Sequence, residues 1–214
     1  MAIKGKHIAR INGSLLSSIK IIGIGVLQLT LLAQILQANE LNLLAIAIIT
    51  LLIIDTFSDF GFNNSIIRNI HLNNADHSTL YWGNVLTGAF IFSLLFISSD
   101  IVSRTVNQPQ FAMMLEMMSV IFIIIPQGQY YRAILQREKQ FSRIAIVEIA
   151  SVLMGLSVTL LTAWLTPSVL CAIWGYLAMA SIRMLMYCYY GRTWFQPAYR
   201  FSFTRFAQLR ARKG

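Results

Sequence analysis

Five charged side chains stand out inside stretches apolar enough to cross a bilayer: Lys20, Asp55, Asp59, Glu148 and Arg183. A charge at the centre of a span costs about 2.5–3.5 kcal/mol on insertion scales, so it persists only with a partner or with water. Lys20 and Arg183 have stems long enough to snorkel to an interface, but Asp55 and Glu148 do not. A hydrated cavity opening to the cytoplasm and lined by two cations and several carboxylates accounts for all five. Cations in such a site hold anions, and carboxylates there can carry protons. Asp55 and Asp59, an i,i+4 pair, are at most a weak signal for a divalent metal, and no other metal-ligand spacing exists.

The elements that position these residues are six apolar stretches, at about 12–36, 41–62, 78–99, 111–134, 144–166 and 168–190. The hydrophobic share is 57% and only 12% of residues are charged, against roughly 25% charged in soluble domains. Mean hydropathy is +0.64. Backbone groups must be satisfied internally in hydrocarbon, so each stretch is expected to be a helix. The first could be mistaken for a signal peptide, but residues 21–39 carry no charge and a second apolar run starts at Leu41, which favours an uncleaved span.

Of the seventeen Lys and Arg, fourteen lie on one side of the proposed membrane: at the N-terminus, at Arg68, from Arg132 to Arg143, and in the tail from Arg192 onward. Arg104 alone occupies the other side. Cationic loops stay in the cytoplasm, so both termini are expected there. The net charge of +9 therefore signals topology and anionic lipid contact, with no nucleic acid partner. The expected connections include a tight turn at Gln37–Glu40, a polar loop from His71 to His77, the longest outer loop from Asp100 to Gln110, and a turn at Thr166–Ser168.

Every span carries one polar side at 100° per residue. Tyr81, Asn84, Thr87, Gly88 and Ser98 align on the third; Glu116, Ser119, Gln127, Tyr130 and Tyr131 on the fourth. Glu148, Ser151, Gly155, Thr159 and Thr162 align on the fifth, and Tyr176, Arg183, Tyr187 and Tyr190 on the sixth. Small and hydroxylated residues in these stripes are equally read as close-packing positions. Pro126, followed by Gly128, is expected to bend the fourth span, as a static kink or as a hinge. Cys171 and Cys188 lie too far apart on one helix to bridge each other. His7, His71 and His77 lack a carboxylate partner at catalytic spacing, and no nucleophile elbow or phosphate-cradling loop is present. The reading is of a protein without enzyme chemistry or cofactor.

Several motifs carry a family resemblance: LLAQIL at 31–36, DTFSDFGFNNSII at 55–67, TLYWGNV at 79–85, IPQGQ at 125–129, YRAILQRE at 131–138, the Phe141–Glu148 stretch, and QPAYRFS at 196–202. In order and spacing the chain resembles the N-terminal half of a Wzx-type polysaccharide flippase, colanic acid exporter-like, in the multidrug/oligosaccharidyl-lipid/polysaccharide exporter superfamily. The resemblance implies an all-α bundle of six transmembrane helices in the bacterial inner membrane, one lobe of a two-lobe fold. It implies a lipid-linked oligosaccharide, joined by pyrophosphate to undecaprenol, as the substrate moved to the periplasmic leaflet.

On that footing Lys20, Arg132 and Arg183 are candidates for the pyrophosphate, and Tyr130, Tyr176 and Tyr187 for the sugar. Asp55, Asp59 and Glu148 are candidates for proton coupling. Residues 1–203 would form the lobe, and the basic tail at 204–214 reads as a truncation end, with a missing second lobe or self-association as partner and polysaccharide polymerase machinery nearby. Two other classes fit the composition: a small ion-coupled multidrug-type efflux subunit, and a non-transporting scaffold of polysaccharide assembly.

Overall fold

The computed structural model describes residues 74–107, 110–166 and 168–198, together with residues 30, 33–34, 36–46 and 49. Among them there is no strand. Five helices follow in order: α1 (Asn74–Val106), α2 (Gln110–Ser119), α3 (Ile121–Arg137), α4 (Phe141–Leu165) and α5 (Leu170–Gly191). Residues 38–46 are also helical. Four segments are long and apolar enough to span a membrane: Asp76–Thr105, Gln110–Arg137, Phe141–Leu165 and Leu170–Gly191. They correspond to the third to sixth expected spans. The first two spans, with Lys20, Asp55 and Asp59, lie outside the described residues or only partly within them.

Three expected connections are helical over part of their length, at residues 38–40, 74–77 and 100–106. α1 starts at Asn74, so His77 stands in its first turns, and it continues through Asp100 to Val106. At 1.5 Å per residue, 33 residues reach roughly 50 Å, well beyond a hydrocarbon core of about 30 Å. The polar run at 99–105 continues this helix and satisfies its own backbone. Ser99, Ser103 and Thr105 donate back to the carbonyls of Phe96, Asp100 and Ile101. Asp76 in the first turn and Arg104 in the last complement the helix dipole. The helix stops at Asn107, whose φ of 55° is a conformation asparagine tolerates well.

The same back-bonding disposes of much of the expected polar striping. Thr87, Ser93, Ser119, Ser151, Ser157, Thr159 and Thr162 each donate to a carbonyl three or four residues earlier. Such hydroxyls require neither water nor a partner helix. The outer face of α1 carries Leu86, Phe90, Leu94, Ile97 and Ile101 at helical spacing, each more than half exposed, as a lipid-facing stripe should be.

The core is divided between the two ends of the bundle. At one end Leu36, Leu43 and Leu44 pack with Phe111, Met114, Met118, Val169 and Ile173. At the other, Leu80 and Tyr81 of α1 pack with Tyr130, Tyr131, Ile134 and Leu135 of α3, Val147 of α4 and Tyr187 of α5. Phe195, just past α5, folds back into this second cluster. There Ala198 N donates to Ser78 Oγ at 3.0 Å, and Trp82 Nε1 donates to the Ala198 carbonyl at 3.1 Å. The segment after α5 is thus strapped to the start of α1.

Glycines set the close helix approaches. Gly155 of α4 and Gly175 of α5 face each other: a β-carbon on Gly175 would lie 2.8 Å from the Gly155 carbonyl oxygen and collide with Thr159 Oγ1. This is the small-residue crossing of membrane helices.

Candidate functional site: an arginine pair sharing one carboxylate

Two helix faces enclose the site. On α3 the face is Ile125, Gly128, Gln129 and Arg132; on α5 it is Tyr176, Ala180, Arg183, Met184 and Tyr187, with Glu148 reaching in from α4. Steps of three and four residues hold each set on one side of its helix. Gly128 admits α5 closely, since a β-carbon there would meet Met184 Cα at 3.0 Å. The partly open cavity has a volume of about 140 Å³. That is small beside the roughly 300–1,000 Å³ of a drug-sized ligand site, so it suits a headgroup rather than a whole oligosaccharide.

Glu148 is the electrostatic centre. Arg183 Nη2 lies 2.9 Å from its Oε2, and Arg132 Nε lies 3.7 Å from its Oε1. Tyr187 donates its hydroxyl to Oε1 at 2.6 Å. The Glu148 side chain is only 13% exposed, so its charge depends on these partners. One carboxylate between two guanidiniums leaves a positive excess. It also leaves donors over: Nε of Arg132 and Nε of Arg183 are buried and have no hydrogen-bond partner among the described residues. Unmet guanidinium donors beside a cavity favour an anion there.

Five expected site residues, Arg132, Arg183, Glu148, Tyr176 and Tyr187, thus come together. The described cations of the cavity are Arg132 and Arg183; Arg132 belongs to α3 rather than to the connection after it. Tyr130 is placed elsewhere. It points from α3 toward α1, is 1% exposed, and its hydroxyl donates to the His77 carbonyl at 2.9 Å. That use of its single proton fixes the neighbours: His77 Nδ1–H donates to the Tyr130 oxygen at 2.7 Å, and His77 Nε2 accepts from Arg137 Nη1 at 3.1 Å. Tyr81, Tyr131 and Phe195 close around the ring. No face of Tyr130 is left for a sugar.

Pro126 is buried within α3, and the break in the span falls earlier, at Val120. Ile123 N donates to Val120 O, a tightened three-residue step. Proline offers no N–H to the Phe122 carbonyl and its ring crowds that carbonyl. The freed carbonyl lies against Gly88 of α1, where a side chain would collide with it. Asn84 Nδ2 donates to the Pro126 carbonyl at 2.9 Å. Asn84 was placed on the polar side of its span, whereas Gln129 and His77 were not singled out as site or support residues in the sequence. Gln129 was within reach, because it lies three residues before Arg132.

The fold and the site define a multi-pass membrane protein with two arginines and one glutamate lining a cavity between its helices. Comparison with known proteins places it further. A family model described as "Polysaccharide biosynthesis protein" matches residues 31–211, and the chain belongs to that family. It is 35% identical over 202 residues to the lipopolysaccharide biosynthesis protein WzxC of Escherichia coli (strain K12), covering 94% of this chain and 41% of that protein. It is 33% identical over 200 residues to an uncharacterized membrane protein in the cps region of Klebsiella pneumoniae, again 94% and 41%. It is 25% identical over 143 residues to the teichuronic acid biosynthesis protein TuaB of Bacillus subtilis (strain 168), covering 67% and 30%. These relatives support the Wzx-type resemblance and a multi-pass protein of the bacterial inner membrane. The chain spans about two fifths of the length of the first two. No solved structure matches it significantly.

Proposed function

We propose that this chain forms the N-terminal lobe of a flippase that carries undecaprenyl-pyrophosphate-linked oligosaccharide units from the cytoplasmic to the periplasmic leaflet, in colanic acid-like exopolysaccharide or O-antigen synthesis. The lobe has six spans at residues 1–203, with both termini cytoplasmic. The observation that carries this reading is the Arg132–Glu148–Arg183 cluster with its two unmet Nε donors. Planar guanidiniums bind phosphate oxygens in forked geometry, and a small cavity beside them fits a diphosphate better than a glycan. Tyr176 lines the same cavity and offers a ring to the first sugar.

Lys20 supplements the arginines, and Glu148, with Asp55 and Asp59, carries coupling protons. The partner is a second lobe, supplied by the same type of protein or by self-association, since alternating access needs two halves that rock about a shared site.

The test uses a flippase-null strain and a full-length protein carrying this half. Arg183→Ala and Lys20→Ala should each abolish rescue at unchanged membrane levels. Full rescue by both overturns the cationic cavity. Reporter fusions after Asn107 and Pro167 should read periplasm, and those after Asn74, Glu138 and Arg200 cytoplasm; a cytoplasmic signal at Asn107 breaks the six-span topology.

A further inference from the structure

Glu148 occupies the place that the proposed ligand's anion would need. Its two oxygens take Arg183 Nη2 and the Tyr187 hydroxyl, and it stands 3.7 Å from Arg132 Nε. All three groups are the cavity's own donors. The fit is incomplete, however. The two oxygens of a single carboxylate sit on one carbon and do not serve both guanidinium forks here: neither Nε makes a hydrogen bond, and Arg132 Nε meets Glu148 only as an ion pair at 3.7 Å. A diphosphate diester carries two negative charges on oxygens of two phosphorus atoms, and can meet both forks together.

We infer that Glu148 is an internal counter-anion, holding Arg132 and Arg183 in the empty cavity and displaced from them when a diphosphate binds. The inference rests on the flippase reading of the site. Its content is an exchange: the guanidiniums and the Tyr187 hydroxyl pass from carboxylate to phosphate oxygens, and no covalent bond is made or broken. Glu148 keeps two like charges from facing each other unpaired across the empty cavity, and it opposes the ligand by the same charge. A purely structural Glu148, needed only to position the arginines, would act in the opposite direction and support binding.

The probe is dimethyl diphosphate, a diester whose two charges do not change between mildly acidic and mildly basic pH. Its affinity is measured by titration calorimetry on the 214-residue chain in nanodiscs, with wild type, Glu148→Gln and Glu148→Asp. Exchange predicts binding tightened roughly tenfold or more in Glu148→Gln, from the loss of one opposing charge at short range. Glu148→Asp keeps the charge but withdraws it by one methylene, and should fall between the two. It also keeps the arginines partnered should Glu148→Gln fail to fold. Equal or weaker binding by the variants, with clear binding by wild type, overturns the exchange and leaves the flippase reading standing. Binding by Glu148→Gln alone supports exchange in its strongest form. Absence of binding in all three overturns both.

Discussion

Asn84 Nδ2 of α1 donates to the carbonyl oxygen of Pro126 in α3 across 2.9 Å, and both residues are buried. With Gly88 one turn further along α1, this clamps the proline segment between two helices. Movement of α3 there requires α1 to move with it or the hydrogen bond to break.

Asn84→Ala should therefore destabilise the bundle by about 1–3 kcal/mol, by removing a buried donor from a carbonyl. Gly88→Ala should cost a similar amount, since its β-carbon would lie 2.5 Å from Pro126 Cγ and collide with the Phe122 carbonyl. Thermal unfolding in detergent, followed by tryptophan fluorescence, checks both. Unchanged midpoints would show that α1 and α3 are not tightly engaged at the proline.

The glycines should be ranked by what surrounds them. Gly175→Ala drives a methyl into Thr159 Oγ1 and toward the Gly155 carbonyl, whereas Gly128→Ala meets Met184 Cα at 3.0 Å. Gly175→Ala should be the more destabilising, by roughly 1–3 kcal/mol, in the same unfolding assay. The reverse order would relocate the tightest helix crossing from α4–α5 to α3–α5.

Arg183→Ala should destabilise more than Arg132→Ala, because Arg183 stands 2.9 Å from Glu148 and Arg132 stands 3.7 Å away. Losing the nearer cation should cost about 1–3 kcal/mol, less than the 3–5 kcal/mol of a fully broken buried pair, since one arginine remains. The double variant Arg183→Ala/Glu148→Gln should recover part of the loss. A double-mutant cycle of unfolding midpoints measures the coupling, and strict additivity would mean that the pair does not interact.

The turn between α3 and α4 offers a gain. Gln140 N donates to Leu135 O and Lys139 N to Gln136 O, a Schellman cap with Lys139 at φ 57°. A side chain in this left-handed conformation costs about 1–2 kcal/mol. Lys139→Gly should raise stability by about 1 kcal/mol, read as a higher unfolding midpoint. A lower one would mean that the lysine side chain contributes more than its backbone strain removes.

Periodicity exposed the α5 side of the cavity well: Tyr176, Arg183 and Tyr187 share one face because they are seven and four residues apart, and the cavity confirms that register. On α3 the aromatic character of Tyr130 suggested sugar contact, but its position one residue beyond Gln129 turns it about 100° away, toward His77. The polar run from Asp100 was expected to be loop on its composition, but hydroxyls that bond back to their own helix let α1 continue through it. The step at Val120 had no local sign, having neither glycine nor proline. The pairing of Arg132 with Glu148 is tertiary, and spacing within one helix cannot reveal it.

The strap from Ala198 to Ser78 joins residues 120 positions apart. During synthesis at about 5–20 residues per second, roughly 6–24 s separate the appearance of its two halves. For that interval the start of α1 stands without Phe195, so Tyr81, Tyr130 and Tyr131 lack the ring that completes their cluster. Long-range closure of this kind comes late in folding. This cluster is therefore completed only after all four described candidate spans have been made, and a nascent chain halted before Phe195 would carry α1 to α5 without the fastening that ties the segment after α5 to α1.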